Sequence, residues 1–315
     1  MYGVAARPIH CPTMDPFICY LPGWASPTFA NPNADLPAPR FAWLTHGMMK
    51  LFQYWDTGEP PEEVAGWIEG FRAMNPDMTH RLYDQDSASW FIGKHLGQRE
   101  QRAFDACAVP AMQADYFRLC ALGAKGGVWF DADCIAARPL ATLIERIPSL
   151  LLVVLEGGII NSALVARAPR NPFLCACLAA ATNIIETRQF DQALKMNAIL
   201  SVAGPGLLTA VWTLADPDWP AEGPLGRFAP PLASWDIQSP TVLETVQSAV
   251  AITAQVRSAI AGATFLHLTS VQKWGRPGEP RYKDSSRHWL HWQGSIYRKP
   301  HERPLPKARP SGSTL

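Results

Sequence analysis

The stretch Gln113 to Leu140, QADYFRLCALGAKGGVWFDADCIAARPL, decides how this 315-residue chain is read. From Met112 to Lys125 aliphatic and aromatic residues recur at helical spacing with no breaker, which predicts a helix. Gly126 and Gly127 end it, as glycine does where the chain needs positive φ past a last turn. Val128, Trp129 and Phe130 then make a short apolar strand, and Asp131-Ala132-Asp133 stands at its carboxyl end. In extended backbone residues i and i+2 point the same way, so the two carboxylates are expected to converge on one divalent cation. On the preceding helix Asp115 and Arg118 are three apart and share a face.

The D-x-D spacing alone carries little, because the chain has it three times. Asp84-Gln85-Asp86 precedes a helical stretch and reads as a turn and N-cap. Asp216-Pro217-Asp218 is a proline turn. Only the third copy follows an apolar strand with a helix and a double glycine ahead of it.

Working outward, Lys50–Trp55 reads as a strand and Pro61-Glu62-Glu63 opens a helix with apolar positions Trp67, Ile68, Phe71 and Met74. Asn75-Pro76 ends it, Thr79–Tyr83 is a second strand, and a helix from Asp86 or Ser87 runs to Leu96. Leu150–Leu155 is a continuous apolar run, the pattern of a strand buried on both faces. Asn161–Arg167 is another strand candidate, Pro172–Glu186 and Leu207–Leu214 read as helices, Thr241–Ile260 as one long helix, and Thr264–Leu268 as a last strand. Alternating strands and helices predict an α/β fold with a mostly parallel, Rossmann-like sheet flanked by helices, binding its ligand beyond the strand ends.

With 48% hydrophobic and 17% charged residues the chain is globular, and a net charge of +1 gives no case for nucleic acid as a partner. Seven scattered cysteines fit a reduced, cytoplasmic protein. No transmembrane segment is expected, since the longest apolar stretch, Pro172–Ile185, is too short to cross. Peripheral attachment to a membrane stays open. Residues 1–47, with eight prolines before residue 40, read as an irregular extension; 48–274 as a single domain; 275–315 as a basic, proline-rich segment with a solvated tail.

The pattern A-D-Y-F-R-L-x-A-L-x-x-x-G-G-V-W-F-D-A-D resembles the sugar-binding region with DXD motif of Och1-like mannosyltransferases, bacterial capsule and lipopolysaccharide glycosyltransferases, and clostridial toxin glucosyltransferases. FQYW at Phe52–Trp55 and NPDMTHRLYDQDSASWFI at Asn75–Ile92 extend it, over roughly residues 48 to 274. The resemblance implies a GT-A type fold and a metal-dependent retaining hexosyltransferase of polysaccharide biosynthesis. A nucleotide-sugar donor, a saccharide or other hydroxyl acceptor, and Mn2+ or Mg2+ go with it. It assigns Asp133 to the metal and Asp131 to metal and sugar or ribose hydroxyls. Asp115 would accept hydrogen bonds from the donor sugar, and Arg118 would contact sugar or base. Trp55 would stack on the base, and Asn161 would face the donor sugar. His267 would be a third metal or diphosphate contact, paired with Trp274 near the end of the domain. Each has a plainer reading: a surface ion pair for Asp115 and Arg118, core packing for Trp55, a turn for Asn161, and a satisfied core or surface histidine for His267. A D-x-D phosphatase-like hydrolase and a non-catalytic nucleotide-sugar-binding protein remain the alternatives.

Overall fold

The computed structural model describes residues 49–136, 139–145, 147–155, 158–190, 195–217, 240–268 and 294–298, with short pieces at 19–20, 28–30, 222–223, 226–227 and 292. Among these residues seven strands form one sheet, in the order Thr28–Ala30, Thr264–Leu268, Leu150–Leu155, Gly158–Ala166, Gly127–Phe130, Lys50–Tyr54, Thr79–Tyr83. Thr28–Ala30 and Gly158–Ala166 pair antiparallel with their neighbours, and the other five strands share one direction. The expected α/β architecture with a mostly parallel sheet is the one observed.

Alternate residues of the four central strands enter two different cores, the physical signature of a sheet covered on both faces. Phe52, Tyr54, Trp129, Leu152 and Leu164 face a large core built with the helices Pro110–Lys125, Pro172–Glu186 and Pro205–Ala215. Leu51, Val128, Phe130, Leu151 and Val165 face a smaller one with Phe71 of the helix Glu62–Met74 and Ile144 of Ala141–Ile144. Pro110–Lys125 is buried nearly all round: Tyr116, Phe117, Leu119, Cys120, Ala121 and Leu122 are sealed from solvent. That helix therefore has little freedom to shift, and the polar residues it carries are fixed with it.

Gly126 and Gly127 carry the chain from this helix into the Gly127–Phe130 strand at φ 62° and 112°, where other residues are strained. Space forbids a side chain as well. A Cβ on Gly126 would lie 2.8 Å from the Ala168 carbonyl carbon, and one on Gly127 2.6 Å from the Lys50 oxygen. The double glycine lets the D-x-D strand enter the sheet directly beside Lys50–Tyr54.

Several expectations need correction. The 241–260 stretch is two helices, Pro240–Ala249 and Ala254–Ala261, because Thr253 caps the second by accepting from Val256 N–H. A further helix, Gln98–Ala106 with Gly97 as its N-cap, follows directly on the one expected to run to Leu96. The region 1–47 is not wholly irregular, since Cys19–Tyr20 pairs with Ile135–Ala136 and Thr28–Ala30 closes the sheet edge. Past residue 275, Ile296 and Tyr297 are buried, with Ala108 N–H donating to Ile296 O and Arg298 N–H to Ala106 O. The 299–315 tail lies outside the described residues.

Candidate active site

The extended geometry that the spacing implied for Asp131 to Asp133 is not the one the chain adopts. The strand ends at Phe130, and residues 131–134 are a turn, closed by Cys134 N–H donating to Asp131 O at 3.0 Å. Ala132, 4% exposed, points inward against Val64 and Ile68 of Glu62–Met74, with Trp55 and Trp67 packed half-buried around them. A small residue between the acids is what this seat admits. Both acids remain half-buried at the rim.

Arg118 is the centre of the arrangement. Its Nη2 lies 2.6 Å from Asp115 Oδ1 and 3.1 Å from Asp131 Oδ1, its Nη1 donates to the Asn161 main-chain oxygen, and its guanidinium stands 5.1 Å from the Trp129 ring centre. Asn161 Nδ2 donates to Asp115 Oδ1 at 3.0 Å, and Trp129 Nε1 donates to Asp131 Oδ1 at 2.9 Å. One residue from each of three elements, Arg118, Asn161 and Asp131, is thereby tied into one network. The reading of Asp115 and Arg118 as a surface pair is overturned, since their side chains are 9% and 3% exposed. The reading of Asn161 as a turn residue also fails: it lies within Gly158–Ala166, 5% exposed.

Asn161 reaches this place through an irregularity. Between Leu150–Leu155 and Gly158–Ala166 the register jumps from Leu152↔Leu164 to Val153↔Ile160, leaving 161–163 without opposite numbers. Such bulges re-aim side chains. Because Gly158–Ala166 runs antiparallel to Gly127–Phe130, its early residues lie beside the tip that carries Asp131, and Asp131 N–H donates to Ser162 O at 2.9 Å.

Asp115 and Asp131 share the Arg118 guanidinium, and the Asp133 charge acts on Asp131 from nearby. Burial, opposed by Arg118 and reinforced by the nearby Asp133 charge, raises the Asp131 carboxyl to about 6. Its side chain is nonetheless 27% exposed, so it is enclosed by the site yet open on one side. Burial likewise raises Asp115, against the pull of Arg118 and Asn161.

Trp55 sits at the end of Lys50–Tyr54, its N–H donating to Tyr83 O at 2.9 Å. Its ring packs against the small core around Ala132, as the packing reading had it, and the residue is half-buried. His267 lies on Thr264–Leu268, three strand spacings from the D-x-D strand, about 14 Å across the sheet. Its side chain, and Trp274 altogether, lie outside the described residues. Among the described residues no three His, Cys, Asp or Glu side chains gather as a self-sufficient metal site.

Residues 61–150 match the glycosyltransferase sugar-binding region containing DXD motif. This DXD region covers Asp115, Arg118, Asp131 and Asp133, and falls short of Trp55 and Asn161. The chain is 26% identical over 98 residues to the initiation-specific alpha-1,6-mannosyltransferase of Schizosaccharomyces pombe, an alignment covering 29% of this chain and 25% of that protein. It therefore spans about a quarter of the length of that relative. Among solved structures the PaToxG glycosyltransferase superposes with a TM-score of 0.42 at 13% identity, over 68% of this chain and 86% of that one.

Three contributors to the site escaped the sequence reading. Trp129 was read only as part of an apolar strand, although its indole N–H holds Asp131. Gly204, N-cap of Pro205–Ala215, abuts Asp115: a Cβ there would lie 2.8 Å from Asp115 Oδ2. Gln53, a fully buried amide, reaches Asp131 from the adjacent strand. A lone polar residue in the apolar run KLFQYW was the available signal for the last of these.

Proposed function

We propose that this chain is a metal-dependent retaining glycosyltransferase that moves a hexose from a nucleoside-diphosphate sugar to a saccharide or other hydroxyl acceptor. The observation that carries the reading is the Arg118-centred network behind a half-exposed pair of acids at a strand tip. The match of residues 61–150 to the DXD region supports it.

The donor set fits Mg2+ or Mn2+. Such hard ions take oxygen ligands, typically one or two protein carboxylates with substrate phosphates and water completing the shell. Asp133 and the free edge of Asp131 would supply the two carboxylates, so no third protein ligand is required. The chemistry such an ion would supply there is neutralisation of the charge growing on a leaving diphosphate, an effect of several kcal/mol.

The residues of the chain do the positioning. Asp131 Oδ1 is held by Trp129 and Arg118, which leaves Oδ2 to turn toward ligand. Asp115 Oδ1 is occupied by Arg118 and Asn161, so Oδ2 is the oxygen that would accept from donor hydroxyls. The half-buried Trp55 ring, at the end of Lys50–Tyr54, would stack on the base. No carboxylate here is assigned as a nucleophile. Displacement from the face of the leaving group, with the departing phosphate taking the acceptor proton, is the route proposed.

Incubation with a panel of nucleotide sugars and Mn2+ tests this. Release of nucleoside diphosphate that stops when the metal is chelated is the expected result. Inorganic phosphate freed from phosphate monoesters would instead indicate a hydrolase, and tight metal-dependent nucleotide binding without turnover a binding protein.

A further inference from the structure

The D-x-D turn hangs from the sheet by its main chain, and one side chain from the neighbouring strand reaches it. Gln53 is completely buried in Lys50–Tyr54, a strand otherwise apolar at its inner positions. A buried primary amide costs free energy unless its donors and acceptor find partners. Gln53 Nε2 donates to Asp131 O at 3.3 Å, and Gln53 Oε1 lies 2.7 Å from Nε2 of His80, on the edge strand Thr79–Tyr83. Two carbonyl oxygens cannot face each other without a proton between them, so Asp131 O draws the NH2 end of the amide toward itself. The Oε1 end then faces His80, whose Nε2 must carry the proton. Burial and the Arg72 charge lower this histidine to about 4, which keeps the ring neutral.

We propose that Gln53, aimed by His80, is a positioning residue that holds the 131–134 turn in the shape from which its acids meet the metal and the donor diphosphate. This rests on the glycosyltransferase reading for its second half only. Asp131 O accepts twice, from Cys134 N–H across the turn and from Gln53 outside it, while Asp131 N–H is held by Ser162 O. The turn is clamped between the strands on both its sides, Lys50–Tyr54 and Gly158–Ala166. Without Gln53 the carbonyl keeps only the bond from Cys134 N–H, and the peptide plane between Asp131 and Ala132 is held less firmly against rotation. That rotation swings the Asp131 and Asp133 carboxylates relative to each other, although neither is touched directly. Partners one step removed from metal ligands act in this way elsewhere, and their loss weakens metal binding by about 10- to 100-fold.

The test uses the full chain with Gln53→Met, which keeps the length of the side chain, and His80→Leu, which removes only the group that aims it. Amide hydrogen exchange of residues 131–134, measured without metal, is expected to quicken by about tenfold in Gln53→Met, the equivalent of one net hydrogen bond, and less in His80→Leu. The Mn2+ concentration for half-maximal diphosphate release is expected to rise about tenfold with kcat at saturating Mn2+ nearly unchanged. If Gln53→Met fails to fold, His80→Leu at the half-buried edge carries the same two readouts. Exchange at 131–134 that stays at the parent rate in the folded variants overturns the proposal. Faster exchange in a parent chain that turns over no nucleotide sugar leaves the brace standing and rejects the catalytic reading.

Discussion

The two halves of the site are built in opposite ways. Asp115, Arg118 and Asn161 form a sealed network in which each member is held by another, on a helix and a strand with no room to move. Asp131 and Asp133 stand on a turn at the rim, half-buried, one of them pushed up to about 6 by its surroundings. The sealed half pays the desolvation cost in advance and fixes geometry. The open half keeps its acids half-exposed, where a ligand can reach them. Removing a group from the first half is expected to cost stability, and removing one from the second to cost activity.

Arg118→Ala is the most severe way to break the contrast. It leaves two enclosed carboxylates without their cation, and breaking a buried pair of this kind costs about 3–5 kcal/mol. Urea unfolding is expected to show that loss, and Asp115→Asn added to it should return part, since one uncompensated charge is then gone. Full stability in Arg118→Ala would mean that the network is not closed as described. Asp133→Asn should do the reverse: metal-dependent diphosphate release falls by at least about 100-fold, the scale of losing one contact to developing charge, with the melting temperature nearly unchanged. A variant as active as the parent would remove Asp133 from the site. Gly204→Ala gives the smallest effect and sharpens the boundary. Its Cβ would lie 2.8 Å from Asp115 Oδ2 and 3.0 Å from Leu200 O, so a destabilisation of about 1–3 kcal/mol is expected from overpacking. A loss of donor affinity beyond that would place Asp115 Oδ2 in contact with the donor.

Much of the fold was legible because it depends on local order. Asp84 caps Gln85–His95 through a reciprocal bond with Ser87, as the sequence of turn and acid implied, and Asn75 closes Glu62–Met74. The antiparallel insertion of Gly158–Ala166 was not legible, since apolar runs carry no sign of strand direction. The helix Gln98–Ala106 was missed for a related reason: QREQRAFDA buries only Ala103 and Phe104, leaving too short an apolar stripe to register as periodic. For the site, residue types and spacing named Asp115, Arg118, Asp131 and Asp133, but with the wrong geometry for the last two. The turn at 131–134 and the bulge at 161–163 are set by contacts with neighbouring strands.

By itself the sequence determined which residues could carry charge at a strand tip, and that a double glycine must deliver that strand from a helix, because both follow from chemistry and backbone freedom within a few positions. Only the tertiary structure decided that Asp115 and Arg118 are buried, that Asn161 joins them, and that Trp129 and Gln53 grip Asp131 from two sides. Those relations span tens of residues, and hydrogen bonds between distant segments exist only once the sheet has fixed which strands are neighbours.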